Sequence, residues 1–571
     1  MISCAERRPV DNETEQTVKP ERDSSRVGRR PASNRERQLG GEATRGGRAT
    51  DQATYLALAS CLALALAACE VGPDFTRPKS PVASHWIAES PQASAPMADT
   101  SHWWSVFNDP TLTDLVASAY RNNLSLQIAA ARILQAQAQL YVAIGELFPQ
   151  QQALGGQIQH ERQAQSTLLL PGLNPNLDTS QVGLSASWEL DFWGKYRRGI
   201  EADRAAMLAS VAAYDAALVS LTAGVANTYL QIRTLEQRIQ VAQDNIKTQE
   251  ESLRIARAQF EAGETSLLDV QQAVTQLAQT EAQVPGLQGS LRVEQDSLAV
   301  LLGVTPDAVD ALLAKNGGIP VAPPEVATGM PKDLLRRRPD VRQAELSAAA
   351  QSAAIGVAKA NLFPSFSLAG SFGFVGTNVR NGSVSDLFTW DNRAATAGAS
   401  FVFPILNYGR IVNSVRVQDA EFLQAVLNYQ NAVLQAQQQV EDGRAQFAAA
   451  QQALARLTEA AASARRTTEL AIVRYKEGAS DYTTVLTAEQ QELAIEDAQA
   501  SAQGAVPEAL VSIYLALGGG WQLRLGQPLL PDDTRTEMKQ RTNWGRLPDE
   551  GPRLPLTEDG STRQSGETDA H

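Results

Sequence analysis

Cys69 is the side chain whose neighbours define a reaction most clearly. It follows Leu66-Ala67-Ala68 at the end of an uncharged apolar run, Tyr55 to Ala68, a position suited to covalent lipid attachment through the thiol. The plainer reading is a buried thiol closing an apolar segment. Elsewhere the reactive groups form no pattern. His85, His102 and His160 are scattered without ligand spacing, and no Gly-rich phosphate loop or nucleophile-base constellation stands out. Cys4 and Cys61 complete the set of 3 cysteines, so no intramolecular disulfide can staple the body of the chain. Arg336 to Arg338 reads as a solvated basic cluster. The expectation is a protein without catalytic residues, bound metal or cofactor, apart from a lipid on Cys69.

The run before Cys69 is too short to span a bilayer comfortably and is followed by Glu70 rather than by a basic flank, so it reads as a secretory h-region. Its end resembles a bacterial lipobox, in which the thiol is diacylated, the segment is cleaved and the new amino terminus is acylated. The acyl chains then anchor the protein. Glu70, unlike an Asp there, is compatible with export to the outer membrane of a Gram-negative cell. Residues 1–68 are therefore taken as a polar leader and signal peptide, with 1–50 discarded or a wrongly chosen start. The formal charge of -13 argues against binding nucleic acid.

The elements behind these residues repeat. Phe148-Pro149 and Phe363-Pro364 lie 363 minus 148, or 215, residues apart, and the same offset pairs Gly194-Lys195 with Gly409-Arg410, Gly263 with Gly478 and Gly303 with Gly518. Two copies of one unit, 105–320 and 321–530, follow an N-terminal arm at 69–104 and precede a polar, flexible tail at 531–571.

Each copy carries two strands of alternating character, about 150–162 and 180–192 in the first and about 365–375 and 395–406 in the second. Val182, Leu184, Ala186, Trp188, Leu190 and Phe192 share one face, and Gln181, Ser185, Ser187, Glu189 and Asp191 the other. Phe366, Leu368, Phe372 and Phe374 alternate with Ser365, Ser367, Ala369 and Ser371 in the same way. A half-buried soluble sheet would show this pattern too, and so would strands long enough to cross a bilayer when tilted. In lipid, four strands cannot close, because membrane barrels need about 8 or more and open edges cost several kcal/mol per unpaired group. If the strands enter a membrane, copies of the chain must assemble.

No proline interrupts 195–262, and 410–477 holds only Gly443 as a potential breaker, so each run could form a helix of about 100 Å. Arg254, Arg257, Glu441 and Arg444 keep these helices out of lipid. The glycines at Phe260-Glu261-Ala262-Gly263 and Tyr475-Lys476-Glu477-Gly478 predict tight turns between helices. A coiled-coil scaffold would explain the helices but not the strands.

Six segments, VGPDFTRP at Val71, WWSVFNDPTLTDL at Trp103, ELDFWGKYRR at Glu189, RRPDVRQAE at Arg337, ANLFPSFSL at Ala360 and IYLALGGGW at Ile513, together resemble the outer-membrane factor family. These are the TolC-like exit ducts of Gram-negative efflux and secretion systems, here in their lipoprotein branch. The resemblance implies an α+β membrane protein: a homotrimer whose twelve strands, four per chain, form one β-barrel in the outer membrane, continued by a long periplasmic α-helical barrel. It implies a channel of a tripartite efflux system working with a periplasmic adaptor and an inner-membrane pump of the resistance-nodulation-division type. A type I secretion duct and a scaffold without a pore remain the alternatives.

By the same resemblance Pro149, Gly194, Pro364 and Gly409 mark the passages between helix and barrel. Gly263, Ser266, Asp269 and Gly478 lie at the adaptor-docking tip, where simple turn chemistry is the competing role of the glycines. Asp481, Tyr482 and Thr483 are aperture candidates. Thr487 falls where relatives carry a carboxylate ring, which puts a ring of that kind in doubt for this chain.

Overall fold

The computed structural model describes residues 70–87, 100–162, 164, 175–313, 317–324, 337–378 and 383–550. The chain divides into units 1–64 and 65–571, and every described residue lies in the second. Cys69 and Arg336 are outside the described residues.

An extended arm, 70–87, precedes a single 3₁₀ turn at Trp103–Phe107 and the helices α1 (Pro110–Asn122) and α2 (Leu124–Gly145). Asp109 starts α1 by accepting from the N–H groups of Thr111 at 2.8 Å and Leu112 at 3.2 Å, with Pro110 preset in the first turn. Asn123 starts α2 in the same way, accepting from Leu126 N–H at 2.8 Å. The chain continues through β1 (Gln151–Arg162), β2 (Asn176–Leu190), α3 (Lys195–Glu261), α4 (Leu267–Leu302) and α5 (Pro306–Leu313). A second pass gives α6 (Pro339–Ala360), β3 (Ser365–Thr377), β4 (Arg393–Val402), α7 (Arg410–Lys476) and α8 (Tyr482–Ala516).

The four strands form one antiparallel sheet in the order β1-β2-β3-β4. α3 and α7 each have 67 residues, about 100 Å at helical rise. One stretch of α3 is apolar enough to cross a membrane, but most of it is buried inside the protein. Its burial face packs into the main core with Trp103, Leu112, Tyr214, Tyr229, Leu302, Val433 and Leu510. A smaller core, with Leu253, Ile255, Val270, Tyr475, Tyr482 and Val485, joins the far ends of the two helical hairpins.

The 215-residue offset is visible in backbone geometry. At Gly263, Gly303, Gly478 and Gly518 the φ angles are 80°, 65°, 65° and 70°, and each glycine closes a helix with the same pair of bonds. Glu264 N–H reaches Gln259 O at 2.9 Å and Gly263 N–H reaches Phe260 O at 2.9 Å; in the second copy Ala479 N–H reaches Arg474 O at 2.8 Å and Gly478 N–H reaches Tyr475 O at 2.9 Å. This is the left-handed glycine cap in which two otherwise orphaned carbonyls are satisfied.

Several expectations are corrected. Gly443 does not break α7. It is buried, and a Cβ there would stand 3.1 Å from Ile513 Cγ1, so it lets α7 and α8 approach. The tail beyond Pro531 is not wholly irregular: α9 (Asp532–Arg541) and α10 (Leu547–Glu550) fold back with Met538 in the main core and Asp549 bonded to Arg535 and Lys539. Arg338 is not a solvated cation. It is buried, pairs with Asp340 at 3.0 and 2.7 Å and donates to Ala516 O at 2.5 Å, so it caps the last turn of α8. The strand pairings end at Leu190 and Val402, which places Phe192 and Phe403 beyond the sheet.

Adding a methyl at Gly263 meets open space, whereas at Gly303 it would stand 2.3 Å from Asn122 O. Gly263→Ala should cost about 1–2 kcal/mol, the left-handed strain alone, and Gly303→Ala about 1–3 kcal/mol more through overpacking. Thermal unfolding of the two variants should rank them in that order, and equal losses would contradict the contact.

Candidate functional site

Cross-strand pairing fixes what each face of the sheet presents. Leu154, Leu184, Phe372 and Ala395 are level with one another, as are Gly156, Val182, Phe374 and Arg393. Residues directly opposite share a face, so from Trp188 and Leu368 up to Ile158 and Phe374 this face is mostly apolar, with Gln152, Ser180 and Arg393 as its polar members. Leu154, Ile158, Leu184, Phe372 and Phe401 are exposed on it. The other face carries Gln157, Gln181, Ser185, Ser187, Ser371, Thr396 and Ser400. Gln181 Nε2 donates to Gln157 Oε1 at 3.1 Å, and the Ser371 and Thr396 hydroxyls are 2.7 Å apart. The sheet thus has one wall suited to hydrocarbon and one suited to water. β1 and β4 are exposed along their whole length, and among the described residues each has one edge without a strand partner.

Where helix meets sheet, Leu147 and Phe148 finish α2 with tight bonds to Ile144 O and Gly145 O, and Leu362 and Phe363 finish α6 in the same way. Pro149 and Pro364, lacking an N–H, follow. Indole donors then fix the passage: Trp188 Nε1 reaches Leu147 O at 3.1 Å and Trp193 Nε1 reaches Pro364 O at 2.7 Å, with the Trp193 ring stacked on Phe363. On the return, Asp191 accepts from Tyr196 N–H at 3.1 Å and Arg197 N–H at 3.0 Å, and Gly194 turns at φ 75°. Gly409 turns at φ 81° in the second copy. Gly194 also admits the arm, since a Cβ there would lie 2.4 Å from Glu70 Cγ. Val71 N–H bonds Trp193 O at 3.1 Å, and Arg77 grips Glu345 with two bonds of 2.6 and 2.8 Å.

At the far end the predicted tip residues divide. Gly263 and Gly478 are exposed turn residues. Ser266 flanks α4, and Asp269 accepts from its hydroxyl at 3.4 Å and also bonds Thr265, which gives Asp269 a role in holding the turn. Asp481, Thr483 and Thr487 are exposed, and Asp481 precedes α8 without a side-chain capping bond. Thr487 Oγ1 donates to Thr483 O at 2.8 Å. Tyr482 is a correction: it is 1% exposed and its ring meets Tyr475 edge-on at 5.2 Å, so it packs the tip and lines no opening. Burial raises its hydroxyl pKa.

Sequence reasoning missed two further groups. Gln259 Nε2 donates to Tyr475 O at 2.9 Å and so ties the first turn to the second. Ser252 and Asn245 on α3 bond Glu489 and Glu496 on α8. Nothing in these Gln- and Glu-rich stretches singled those residues out. Among the described residues, no group of three or more His, Cys, Asp or Glu could hold a metal ion.

Two segments, 115–304 and 330–519, match the family model of the outer membrane efflux protein, displaced by 215 residues at both ends. The chain belongs to the outer membrane efflux protein family. It is 33% identical over 476 residues to Nodulation protein T of Rhizobium leguminosarum bv. viciae, covering 81% of this chain and 93% of that one. It is 32% identical over 434 residues to the pyoverdine export outer membrane protein OpmQ of Pseudomonas aeruginosa, covering 74% and 88%. The solved outer-membrane channel OprN superposes with a TM-score of 0.73 at 33% identity, covering 80% of this chain and 100% of that one. The chain is therefore an efflux channel of the outer membrane with a TolC-like fold.

Because Tyr482 fills the tip core, Tyr482→Ala should cost about 3–5 kcal/mol locally and speed amide exchange at both hairpin ends. Thr483→Ala should leave exchange there unchanged, and identical behaviour of the two would contradict the assignment.

Proposed function

We propose that three copies of this efflux protein close a twelve-stranded barrel in the outer membrane and carry small molecules outward from a periplasmic adaptor and an inner-membrane pump of the resistance-nodulation-division type. One observation supports the reading: a four-stranded sheet with a mostly apolar face, a polar face and, among the described residues, two edges without a strand partner. In hydrocarbon each unpaired backbone group costs several kcal/mol, so β4 of one copy must pair with β1 of the next. β4 has 10 residues, about 33 Å of strand, which spans about 25 Å of apolar thickness at a tilt of about 40°.

The long helices then lie on the periplasmic side, with the two hairpin turns as the end that meets the adaptor. Phe260, Leu267 and Leu268 are exposed beside Gly263, which supports an apolar docking surface next to Ser266, Asp269 and Gly478. Glu70 packs at the helix-to-barrel passage, and this supports lipid attachment at Cys69, because an acyl chain on the preceding residue would start at the membrane surface. Asp481, with Thr483 and Thr487, is the exposed polar set offered as the aperture.

Purified protein in a planar bilayer should open ion-conducting pores as a trimer. Asp481→Ala should lower cation selectivity by removing one carboxylate per subunit. Unchanged conductance and selectivity would remove Asp481 from the aperture, and absence of any conductance would defeat the channel reading in favour of a scaffold.

A further inference from the structure

Between the tip core and the main core, the seam of α3 against α8 is polar. Asn245 Nδ2 donates to Glu496 at 2.8 Å, and the Ser252 hydroxyl donates to Glu489. The antiparallel register set by these two bonds puts Gln249 level with Glu492. Nearer the main core, Arg238 holds Asp497 through bonds of 2.7 and 2.9 Å.

The three acids facing this seam are 1%, 8% and 6% exposed at Glu489, Glu492 and Glu496. Arg465 of α7 neutralises the latter two, bonding Glu496 and standing 3.9 Å from Glu492. Glu489 is placed differently. One of its oxygens takes the Ser252 hydroxyl and the other has no partner, and both amide atoms of Gln249, itself 2% exposed, are also without partners.

Among the described residues, the groups acting on Glu489 include no compensating cation. From α3 come the neutral Asn245, Gln249 and Ser252. On α8 itself are Tyr482, Glu492 and Glu496. From α7, Arg465, Thr468 and Glu469 act on Glu492, and from α4, Asp269 acts on Tyr482. A carboxylate in this position is buried without a charge to offset it.

We propose that Glu489 is a proton-binding site in the α3–α8 seam, and that its occupancy sets how tightly the second helical hairpin packs on the first. The step is a simple protonation: one proton from solvent binds the unpartnered oxygen, cancels the buried charge and turns an acceptor into a donor. It leaves one helical turn from Ser252 an amide, Gln249, that can accept or donate.

Burial pushes Glu489 up from the ordinary 4.5 to about 7, opposed by the Ser252 bond and reinforced by Glu492. A free carboxyl releases its proton near 4.5 while the packed seam keeps it to about 7. Packing is therefore strongest on the acid side, weakens across this window and is weakest above it. The inference rests on reading these helices as the wall of a duct, because only then does seam packing control the width of its inner end.

The test is pore conductance in planar bilayers, with amide exchange over 245–256 and 485–496, from pH 5.5 to 8.5. The protein should widen and exchange faster above a midpoint near 7, and Glu489→Gln should hold the low-conductance, slow-exchange state across the range. Ser252→Ala removes a bond that favours the charged form, so its midpoint should rise. If Glu489→Gln does not assemble, that rise still decides the matter. A wild-type profile flat with pH, a transition that persists in Glu489→Gln, or an unshifted Ser252→Ala midpoint would overturn the proposal, while pores that conduct at every pH would leave the channel reading intact.

Discussion

Backbone groups along the outer edges of β1 and β4 constrain everything else in this protein. A sheet whose apolar face bears Leu154, Ile158, Leu184 and Phe372 belongs against hydrocarbon, yet an open edge cannot remain there. The remedy proposed above is pairing with another copy. In the proposed trimer, closure by symmetry would place Gln157, Gln181, Ser371 and Thr396 around a common water-filled interior.

The long helices extend from the sheet, and the apolar stretch of α3 is mostly buried inside the protein. Their length comes from runs lacking breakers, and their hairpins are closed by glycine caps repeated at a fixed offset in both halves of the chain. The packing is layered along the bundle: apolar at the tip, polar between α3 and α8, apolar again around Trp103 and Tyr214. The polar layer between the two apolar ones holds the hairpins together through the bonds to Glu489 and Glu496, and it is there that the proposed proton site lies.

Much of this was legible in the residues. Alternation disclosed both faces of the sheet, because a period of two leaves no other arrangement of large apolar and hydroxyl side chains. Pro149, Pro364, Gly194 and Gly409 disclosed the passages, because each sits where a helix must stop or a backbone must turn. The threefold number was not legible from strand arithmetic and came from family resemblance. Side-chain orientation on long helices was also hidden. Tyr482 stands beside exposed threonines in sequence, but the register of α8 turns it inward. Arg338 reads as one of several arginines until the last carbonyls of α8 are seen to need a donor. α9 is so polar that only Met538 betrays its contact with the core.

The most direct measurement is disulfide trapping across the subunit boundary. Ala153→Cys on β1, combined in turn with cysteines along β4 from Ala394 to Ser400, should on mild oxidation of membranes give covalent dimers and trimers at the positions in register. Bonds that form only within a single chain, or none at all, would contradict closure of the barrel between copies.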